Sequence, residues 1–341
     1  YSIQGYCPTC DHENRPYSGR FFSIPNCKAV DAANHEWAAR KEQDLASFWP
    51  KSEVPFGFMT SMNNGGIPNH GFTHWWTMFN ARQLLVQTQL LRAIVESKVG
   101  NWATKEFVLG AFQQYLRNQN LFCIWNVTAD KMEPMFSNNN YHPKSTMVEN
   151  CVFAVLGRGN WQSSSSGVME GLEWCSSPWE TVPVSALEKK RPELASKVSG
   201  KSAKTQCQDS LLNEHFIECS SSSDLQSIPP AAYDLVITDP PFGGLLHYSE
   251  LADFFYVWLR LVLQKRYPKF FSAEYTPKAL EAVANRARHP EDADGFYQKI
   301  LTECWREASR ILKPSGILAF TFHHSEDEPW VAVLESLFQA G

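Results

Sequence analysis

One tetrapeptide in the sequence, Asp239-Pro240-Pro241-Phe242, combines a carboxylate, two consecutive prolines and an aromatic ring. Each proline has a fixed φ angle and no N–H group, so the turn is rigid, and its carbonyls and the ionised Asp239 carboxylate can only accept hydrogen bonds. A planar exocyclic amino group, which has two N–H donors and a lone pair delocalised into its ring, is the matching partner. Acceptors on both hydrogens draw its nitrogen toward tetrahedral geometry and make the lone pair available to an electrophilic methyl group. Phe242 adds a π face on which the ring can stack.

The surrounding elements predict where this tetrapeptide lies. Residues 235–238 form a continuous apolar strand of the kind that is buried on both faces of a parallel sheet. A helix with Ser249 as its N-cap follows, and the turn 313–316 leads from a later helix into a strand over 317–322. This alternation predicts a doubly wound α/β sheet, in which ligands bind outside the carboxyl ends of the strands. The tetrapeptide occupies such a position, although Asp-Pro-Pro is also common in loops without any catalytic role.

Hydrophobic periodicity and turn residues predict the other elements. Helices are expected over about 33–48, 84–95, 105–117, 296–311 and 330–338, and a short strand over 216–219. Residues 125–180 show little periodicity, and the four consecutive serines at 163–166 are predicted to be solvated loop. The organisation that follows is a loop-rich segment at 1–70, a helical inserted or target-recognition region at 71–200 and a catalytic part at 201–341.

Five stretches carry a resemblance to a known family. They are YDLVITDPPF at 233–242, YSELADFFYVWLR at 248–260, LKPSG at 312–316, FTFHH at 320–324 and FNARQLL at 79–85. Together they resemble the large prokaryotic adenine-specific DNA methyltransferases that carry a zinc-ribbon-like insertion and are common in restriction and phage-defence loci. The resemblance extends from about residue 79 to the end and is strongest after residue 230. Its motifs are more specific for amino-group methylation than for adenine.

The resemblance implies a Rossmann-like catalytic part that uses S-adenosylmethionine as the methyl donor. In this family's pattern, Asp239 and the carbonyl of Pro240 would hold the target amino group, with Pro241 in the same rigid turn. Phe242 would stack on the target base, which has to be flipped out of a duplex to reach the pocket.

Five further residues are predicted to assist. The resemblance implies that Tyr248, Glu250 and Asp253 line or support the base pocket. His323 ends a parallel strand at the same sheet edge, so it either faces the site or is a histidine with no catalytic role. Ser220 follows the strand before the tetrapeptide, where related folds contact the adenine of the cofactor, although a plain polar loop is the alternative.

The glycine-rich loop through which this family binds S-adenosylmethionine is not found in the sequence. Leu156-Gly157-Arg158-Gly159 follows an apolar run, but no helical pattern follows it and its place in the family's order is wrong, so it is predicted to be an ordinary loop. The cofactor loop is expected upstream of Tyr1, which leaves Asp239 and Ser220 as the cofactor contacts predicted in this chain. A start at Tyr and an end where such sheets normally continue predict a part of a longer protein.

The sequence leaves other functions open. The same chemistry has cytosine N4, RNA or a protein glutamine as alternative targets, and a non-catalytic DNA-recognition subunit of a defence system is an alternative of another class. DNA is the predicted partner, with further restriction or defence subunits as possible additions. The formal net charge of −5 shows no basic footprint, so the prediction of DNA binding rests on motifs alone.

The composition restricts the class of protein. With 43% hydrophobic and 20% charged residues among 341, the chain is neither disordered nor collagen-like nor a disulfide miniprotein. No signal peptide and no membrane span is predicted.

The cysteines provide a weaker signal. Nine cysteines, mostly single and in apolar surroundings, are typical of free thiols in a reducing compartment, so a cytoplasmic location is predicted. Cys7 and Cys10 form half of a zinc knuckle, and His12, Cys27 and His35 are the nearest further ligands, at irregular spacing. The alternative is a tight turn with two free thiols.

Overall fold

The computed structural model describes residues 2–13, 15, 19–129, 131–152, 158–183, 202–206 and 217–341. Within these ranges the protein is mixed α/β, with small sheets between helices. The helices are α1 Pro8–His12, α2 Cys27–Arg40, α3 Ala81–Glu96, α4 Trp102–Asn118, α5 Trp161–Ser176, α6 Tyr248–Leu263, α7 Pro268–Phe271, α8 Ala293–Ile311 and α9 Asp327–Ala340. The strands are β1 Ser2–Tyr6, β2 Arg20–Ser23, β3 Ile124–Asn126, β4 Lys131–Glu133, β5 Trp179–Pro183, β6 Ser202–Gln206, β7 Tyr233–Thr238 and β8 Leu312–Phe320.

The described strands pair as four two-stranded sheets. Three of the pairs, β1–β2, β3–β4 and β5–β6, are antiparallel. The fourth pair, β7–β8, is parallel, and its register sets Leu235 opposite Ile317 and Thr238 opposite Phe320. A doubly wound sheet needs several parallel strands, and the described residues form only one parallel pair. The doubly wound, Rossmann-like sheet therefore remains a prediction.

The predicted turn at 313–316 is accommodated inside β8. The strand begins at Leu312, directly after α8, and its register slips between the pairs Tyr233–Leu312 and Leu235–Ile317. The four residues 313–316 therefore bulge from the ladder, which lets the helix end and the strand begin without a separate loop. The strand ends at Phe320, two residues earlier than predicted.

Helices α3, α4 and α6 pack around the larger of the two hydrophobic cores that the described residues form. The periodicity that predicted them is confirmed, because Phe254 and Trp258 of α6 are fully buried there. The Phe79 ring lies 5.7 Å from the Phe254 ring and 5.4 Å from the Trp258 ring, and Phe112 of α4 lies 6.0 Å from Trp258. The helix that follows the tetrapeptide is thus packed against helices from the predicted inserted region.

The smaller core joins α8, α9 and β8. Tyr297 and Trp305 of α8 are buried with Val333 of α9, and the Trp305 indole N–H donates to Ser336 Oγ over 2.9 Å. Because Leu318 and Phe320 pack against this cluster, it covers one face of the parallel pair.

The other face of the parallel pair is open, which corrects the prediction that residues 235–238 are buried on both faces. Leu235, Ile237 and Ile317 are exposed at 50%, 73% and 63%. Helices α8 and α9 lie on one side only, and within the described ranges no element covers the second side. The apolar side chains of Leu235 and Ile237, which suggested a fully buried strand, therefore form exposed surface in this structure.

The predicted serine loop at 163–166 is also wrong, because these residues lie in α5. Asn160 caps the helix by accepting from Ser163 N over 2.9 Å. Ser165 Oγ donates to the Trp161 carbonyl over 3.0 Å, so the hydroxyl is satisfied by the preceding turn of the helix. The Trp161 ring meets Tyr115 of α4 at 5.9 Å, and this tertiary contact offsets the weak helix propensity of serine.

Three smaller predictions need correction. The helix expected at 33–48 is Cys27–Arg40, which begins earlier because the Asn26 side chain accepts from Ala29 N. The N-cap of α6 is His247 rather than Ser249, whose hydroxyl bonds to Glu281 instead. Residues 217–219 are irregular rather than strand, and residue 216 lies outside the described ranges.

The start of α3 allows a first test. Asn80 and Gln83 form a reciprocal capping box, in which Asn80 Oδ1 accepts from Gln83 N over 2.9 Å and Gln83 Oε1 accepts from Asn80 N over 3.0 Å. We expect Asn80→Ala to lower the free energy of unfolding by about 1 kcal/mol, measured by urea denaturation. Asn138→Ala, at an exposed loop asparagine, is the control and should change it by less than about 0.5 kcal/mol. Equal stability of the two variants would contradict a structural role for the cap.

Candidate functional site

The tetrapeptide at 239–242, hereafter the acceptor turn, begins where β7 ends. Thr321, the first residue after β8, holds this edge: its N–H donates to the Thr238 carbonyl over 3.2 Å and its hydroxyl donates to Asp239 Oδ1 over 2.5 Å. Asp239 is exposed, and no described residue donates to its Oδ2. The carboxylate is therefore oriented through one oxygen while the other is open to a ligand.

The two proline carbonyls of the acceptor turn differ in their partners. The Pro241 carbonyl accepts from the Tyr297 hydroxyl over 2.6 Å and from Gly243 N over 3.1 Å. Within the described part of the chain, no group donates to the Pro240 carbonyl. The turn is thus anchored through Pro241, whereas Pro240 is buried and its carbonyl has no partner among the described residues.

Phe242 belongs to a short row of aromatic rings. Its ring meets Phe322 edge-on at 5.2 Å, and Phe322 meets Trp330 of α9 at 4.8 Å. The Trp330 indole N–H donates to the His324 carbonyl over 3.2 Å, which fixes the outer end of the row. These contacts limit the motion of the Phe242 ring beside Asp239, as a stacking surface requires.

The other predicted substrate residues are placed differently from one another. Tyr248, at the start of α6, is half exposed, and His323 is exposed beyond β8. Glu250 and Asp253 are buried in α6 and bond to other parts of the chain. The hydrogen bonds and ring contacts of the described residues join none of these four to the acceptor turn directly.

Glu250 is the centre of a buried polar cluster that sequence reasoning missed. Its Oε2 accepts from Met59 N over 2.7 Å, and its Oε1 accepts from Asn285 Nδ2 over 2.7 Å. Arg288 Nε lies 3.9 Å from Oε1, and Asn285 Nδ2 lies 3.0 Å from Nδ1 of His247. We call His247, Glu250, Asn285 and Arg288 the buried polar cluster. Because Asn285 and Arg288 lie more than 30 residues from Glu250 along the chain, no local sequence pattern predicts the cluster.

Asp253 is held separately, one turn further along α6. Its Oδ1 accepts from Thr276 N over 2.9 Å and from Thr276 Oγ1 over 2.7 Å, and its Oδ2 accepts from Lys278 Nζ over 2.5 Å. Burial raises the pKa of the Asp253 carboxyl, and the charge of Lys278 acts in the opposite direction. Asp253 therefore joins α6 to the chain at 276–278.

His247 makes the stability of the protein depend on pH. Its ring is fully buried 4.5 Å from the Phe58 ring, and this desolvation lowers the pKa of His247 although Glu250 and Glu281 oppose the shift and Arg288 adds to it. Between about pH 6.5, where an unfolded histidine takes up a proton, and the lower pKa of the folded state, the unfolded chain binds more protons. The free energy of unfolding is therefore expected to fall through His247 as the pH drops below about 6.5.

Urea denaturation at pH 7.5 and 5.5 measures this dependence. His247→Gln should show a smaller loss of stability on acidification than the wild type, whereas His70→Gln, at an exposed histidine, should keep the wild-type loss. An unchanged loss in His247→Gln would contradict the prediction.

The residues predicted to bind the cofactor or a metal ion do not come together as a site among the described residues. Ser220 is exposed on an irregular segment, and no hydrogen bond of the described residues links it to the acceptor turn. Of the predicted loop 156–159, residues 156 and 157 lie outside the described ranges.

Cys7 and Cys10 are free thiols, and a hydrogen bond from Cys10 lowers the pKa of Cys7. In the ranges that the structure describes, no three His, Cys, Asp or Glu side chains are grouped to hold a metal ion.

Comparisons with known proteins add no relative. No family model, no curated protein and no solved structure matches the chain. Among the helices of the described ranges, none is both long and apolar enough to cross a membrane. What the site can do therefore has to be inferred from its own geometry.

Proposed function

We propose that the protein is an S-adenosylmethionine-dependent DNA methyltransferase that acts on the exocyclic amino group of adenine, at N6. The observation that carries this proposal is the exposed Asp239 carboxylate, whose Oδ2 has no described donor, next to a Pro240 carbonyl that also has none, at the carboxyl end of a parallel strand. Sheets of this kind bind their ligands at that edge. In this proposal β7 and β8 are neighbouring strands of a Rossmann-like sheet with a large helical inserted region.

The residues of the acceptor turn hold the amino group in this proposal. Asp239 accepts one N–H of the target amine and the Pro240 carbonyl accepts the other, so that the nitrogen lone pair turns out of the ring plane. The Thr321 hydroxyl keeps Asp239 in position, and Tyr297 holds the Pro241 carbonyl so that the turn keeps its shape. Pre-organised polar groups of this kind need no rearrangement at the moment of reaction.

Phe242 supplies the binding surface for the base. The edge-on contact with Phe322 orients the ring, and base–aromatic stacking contributes about 1–3 kcal/mol per base. Since a base in a duplex cannot reach the turn, the substrate is single-stranded or flipped out. Tyr248 and His323, both exposed, are proposed as further contacts to the substrate, and Glu250 and Asp253 as supports.

S-adenosylmethionine would supply the electrophilic methyl group. The described residues do not form a cradle for it: Asp239 is at the right edge, but Ser220 has no bond to the acceptor turn. The proposal therefore assigns to this part of the chain the amino-group side of the reaction. A DNA partner follows from the proposed activity. Further restriction or defence subunits are proposed from the family resemblance, a cytoplasmic location from the cysteines, and zinc at Cys7 and Cys10 is a separate proposal.

Mass spectrometry of nucleosides and of protein digests tests this function. DNA, RNA and protein are isolated from cells that express the gene encoding this chain and from cells that lack it. N6-methyladenine in DNA only in the first sample supports the proposal. N4-methylcytosine or a methylated RNA base would replace adenine as the target, and methylated glutamine would indicate a protein substrate. If no added methyl group is found in any of these, the methyltransferase proposal fails, and DNA binding by an inactive subunit becomes the hypothesis to test.

A further inference from the structure

The connection between α7 and α8 contains a segment that contacts both α6 and the chain just after the acceptor turn. This segment, residues 276–288, has only a short 3₁₀ turn at Lys278–Leu280. Its main chain meets the two glycines after Phe242: Ala284 N donates to the Gly243 carbonyl over 3.2 Å, and a Cβ at Gly244 would lie 2.7 Å from the Ala284 carbonyl oxygen. We call it the brace segment.

Asn285 joins the brace segment to the buried polar cluster. It is fully buried, and its Nδ2 lies 2.7 Å from Glu250 Oε1 and 3.0 Å from His247 Nδ1. Its Oδ1 accepts from Ala287 N over 2.9 Å and from Arg288 N over 3.1 Å. Both ends of the amide are engaged, so its orientation is determined, and with it the path of the chain beside Gly243.

A second contact secures the same segment. Glu281 accepts from Ser249 N over 2.8 Å, from Ser249 Oγ over 2.5 Å and from Arg288 NH2 over 2.6 Å. Arg288 NH1 also donates to the Lys278 carbonyl over 2.6 Å. Charge-assisted bonds of this kind are stronger than neutral ones, so the brace segment is attached to the first turn of α6 at two points.

We propose that the brace segment holds the acceptor turn in its working geometry and that Asn285 is a positioning residue for methyl transfer. The inference rests on the proposed function. Gly243 has a φ angle of 62°, and neither Gly243 nor Gly244 has a side chain that restricts the backbone. The two residues after Phe242 are therefore conformationally the freest part of this loop. The hydrogen bond from Ala284 N to the Gly243 carbonyl restrains them, and Asn285 holds the residue next to Ala284 in place. Asn285 acts through the main chain and does not touch the substrate.

The test compares three variants, each introduced into the complete gene that encodes this chain. Asn285→Ala removes the amide that joins His247, Glu250 and the brace segment. Ser249→Ala removes one hydroxyl bond to Glu281 and leaves the rest of the network, so it serves if Asn285→Ala does not fold. Glu291→Gln is the matched control, because Glu291 is exposed on the same connection just beyond the brace segment. The measurements are kcat and KM for methylation of DNA, and hydrogen exchange of the amides at 242–247.

We expect Asn285→Ala to lower kcat about 10- to 100-fold with little change in KM for DNA, because a misplaced reacting group costs rate more than binding. Exchange at 242–247 should be faster in the same variant, Ser249→Ala should change both readouts less and in the same direction, and Glu291→Gln should change neither. A wild-type kcat and wild-type exchange in folded Asn285→Ala, or in Ser249→Ala if the first does not fold, would overturn the inference. Lower thermal stability with unchanged kcat would also overturn it, since a merely structural role predicts that result.

Failure of the proposed function is distinguishable from failure of this inference. If the wild type transfers no methyl group, the proposed function fails, and the exchange data alone decide whether the brace segment orders residues 242–247. If the wild type is active and Asn285→Ala is equally active, the function stands and the positioning role fails.

Discussion

Asp239→Ala is expected to lower methylation of DNA about 100- to 1000-fold, the range seen when one pre-organised polar group is removed from a reaction centre. The substitution removes the exposed Oδ2 acceptor together with the Oδ1 atom that Thr321 orients. The Pro240 carbonyl would then be the only acceptor for the amino group, and one N–H would remain in the ring plane. Transfer of labelled methyl groups to DNA under saturating conditions measures the effect.

Asp234→Ala is the matched control for this experiment. Asp234 lies on the same strand, its side chain is 79% exposed, and it pairs with Lys313 Nζ over 2.8 Å, away from the acceptor turn. Exposed ion pairs contribute little, so stability should change by less than about 1 kcal/mol and methylation by less than about twofold. If Asp239→Ala retained the activity of Asp234→Ala, the assignment of the acceptor turn would be wrong.

Trp258→Ala is expected to have the largest effect on stability, a loss of about 3–5 kcal/mol in the free energy of unfolding. Trp258 has no solvent exposure and meets the rings of Phe79 and Phe112, one beside α3 and one on α4. No described residue accepts a hydrogen bond from its indole N–H, so the loss comes from packing and from the cavity left behind. Urea denaturation followed by circular dichroism measures it.

Trp76→Ala provides the comparison for that result. Trp76 is 36% exposed and has an edge-on contact with Trp49 at 6.0 Å, so its removal should cost about 1 kcal/mol. A cost for Trp258→Ala as small as that for Trp76→Ala would show that α6 is not packed against α3 and α4 in solution. The position of the acceptor turn relative to the larger core would then need revision.

The chemistry of the acceptor turn was predictable because it is local. Two consecutive prolines lack backbone N–H groups on any fold, the side chain of an ionised aspartate can only accept, and an apolar strand before them indicates the edge of a sheet. Periodicity likewise predicted α3, α4, α6 and α8 because apolar residues at 3.6 spacing pack on one face. The role of Thr321 was missed, although its place just after a parallel strand is the one signal that points to it.

The support of the site was not predictable from local patterns. Glu250 was expected near the substrate, yet its carboxylate bonds to Met59 N, 191 residues away along the chain, and to Asn285 Nδ2. The serines of α5 were misread because their helix depends on contact with α4. In both cases the contacting residue is distant in sequence, and neither helix propensity nor residue spacing can predict such a contact.

The sequence by itself determined that two residues of the acceptor turn lack N–H donors, and it determined the strand before the turn and the amphipathic helices around it, since these follow from the backbone chemistry of proline and from hydrophobic spacing. The tertiary structure alone decided that Thr321 orients Asp239 and that Tyr297 holds the Pro241 carbonyl. It also decided that one face of the β7–β8 pair stays exposed. The physical reason is that hydrogen bonds and burial depend on which distant segments meet, whereas the geometry of a turn depends on adjacent residues only.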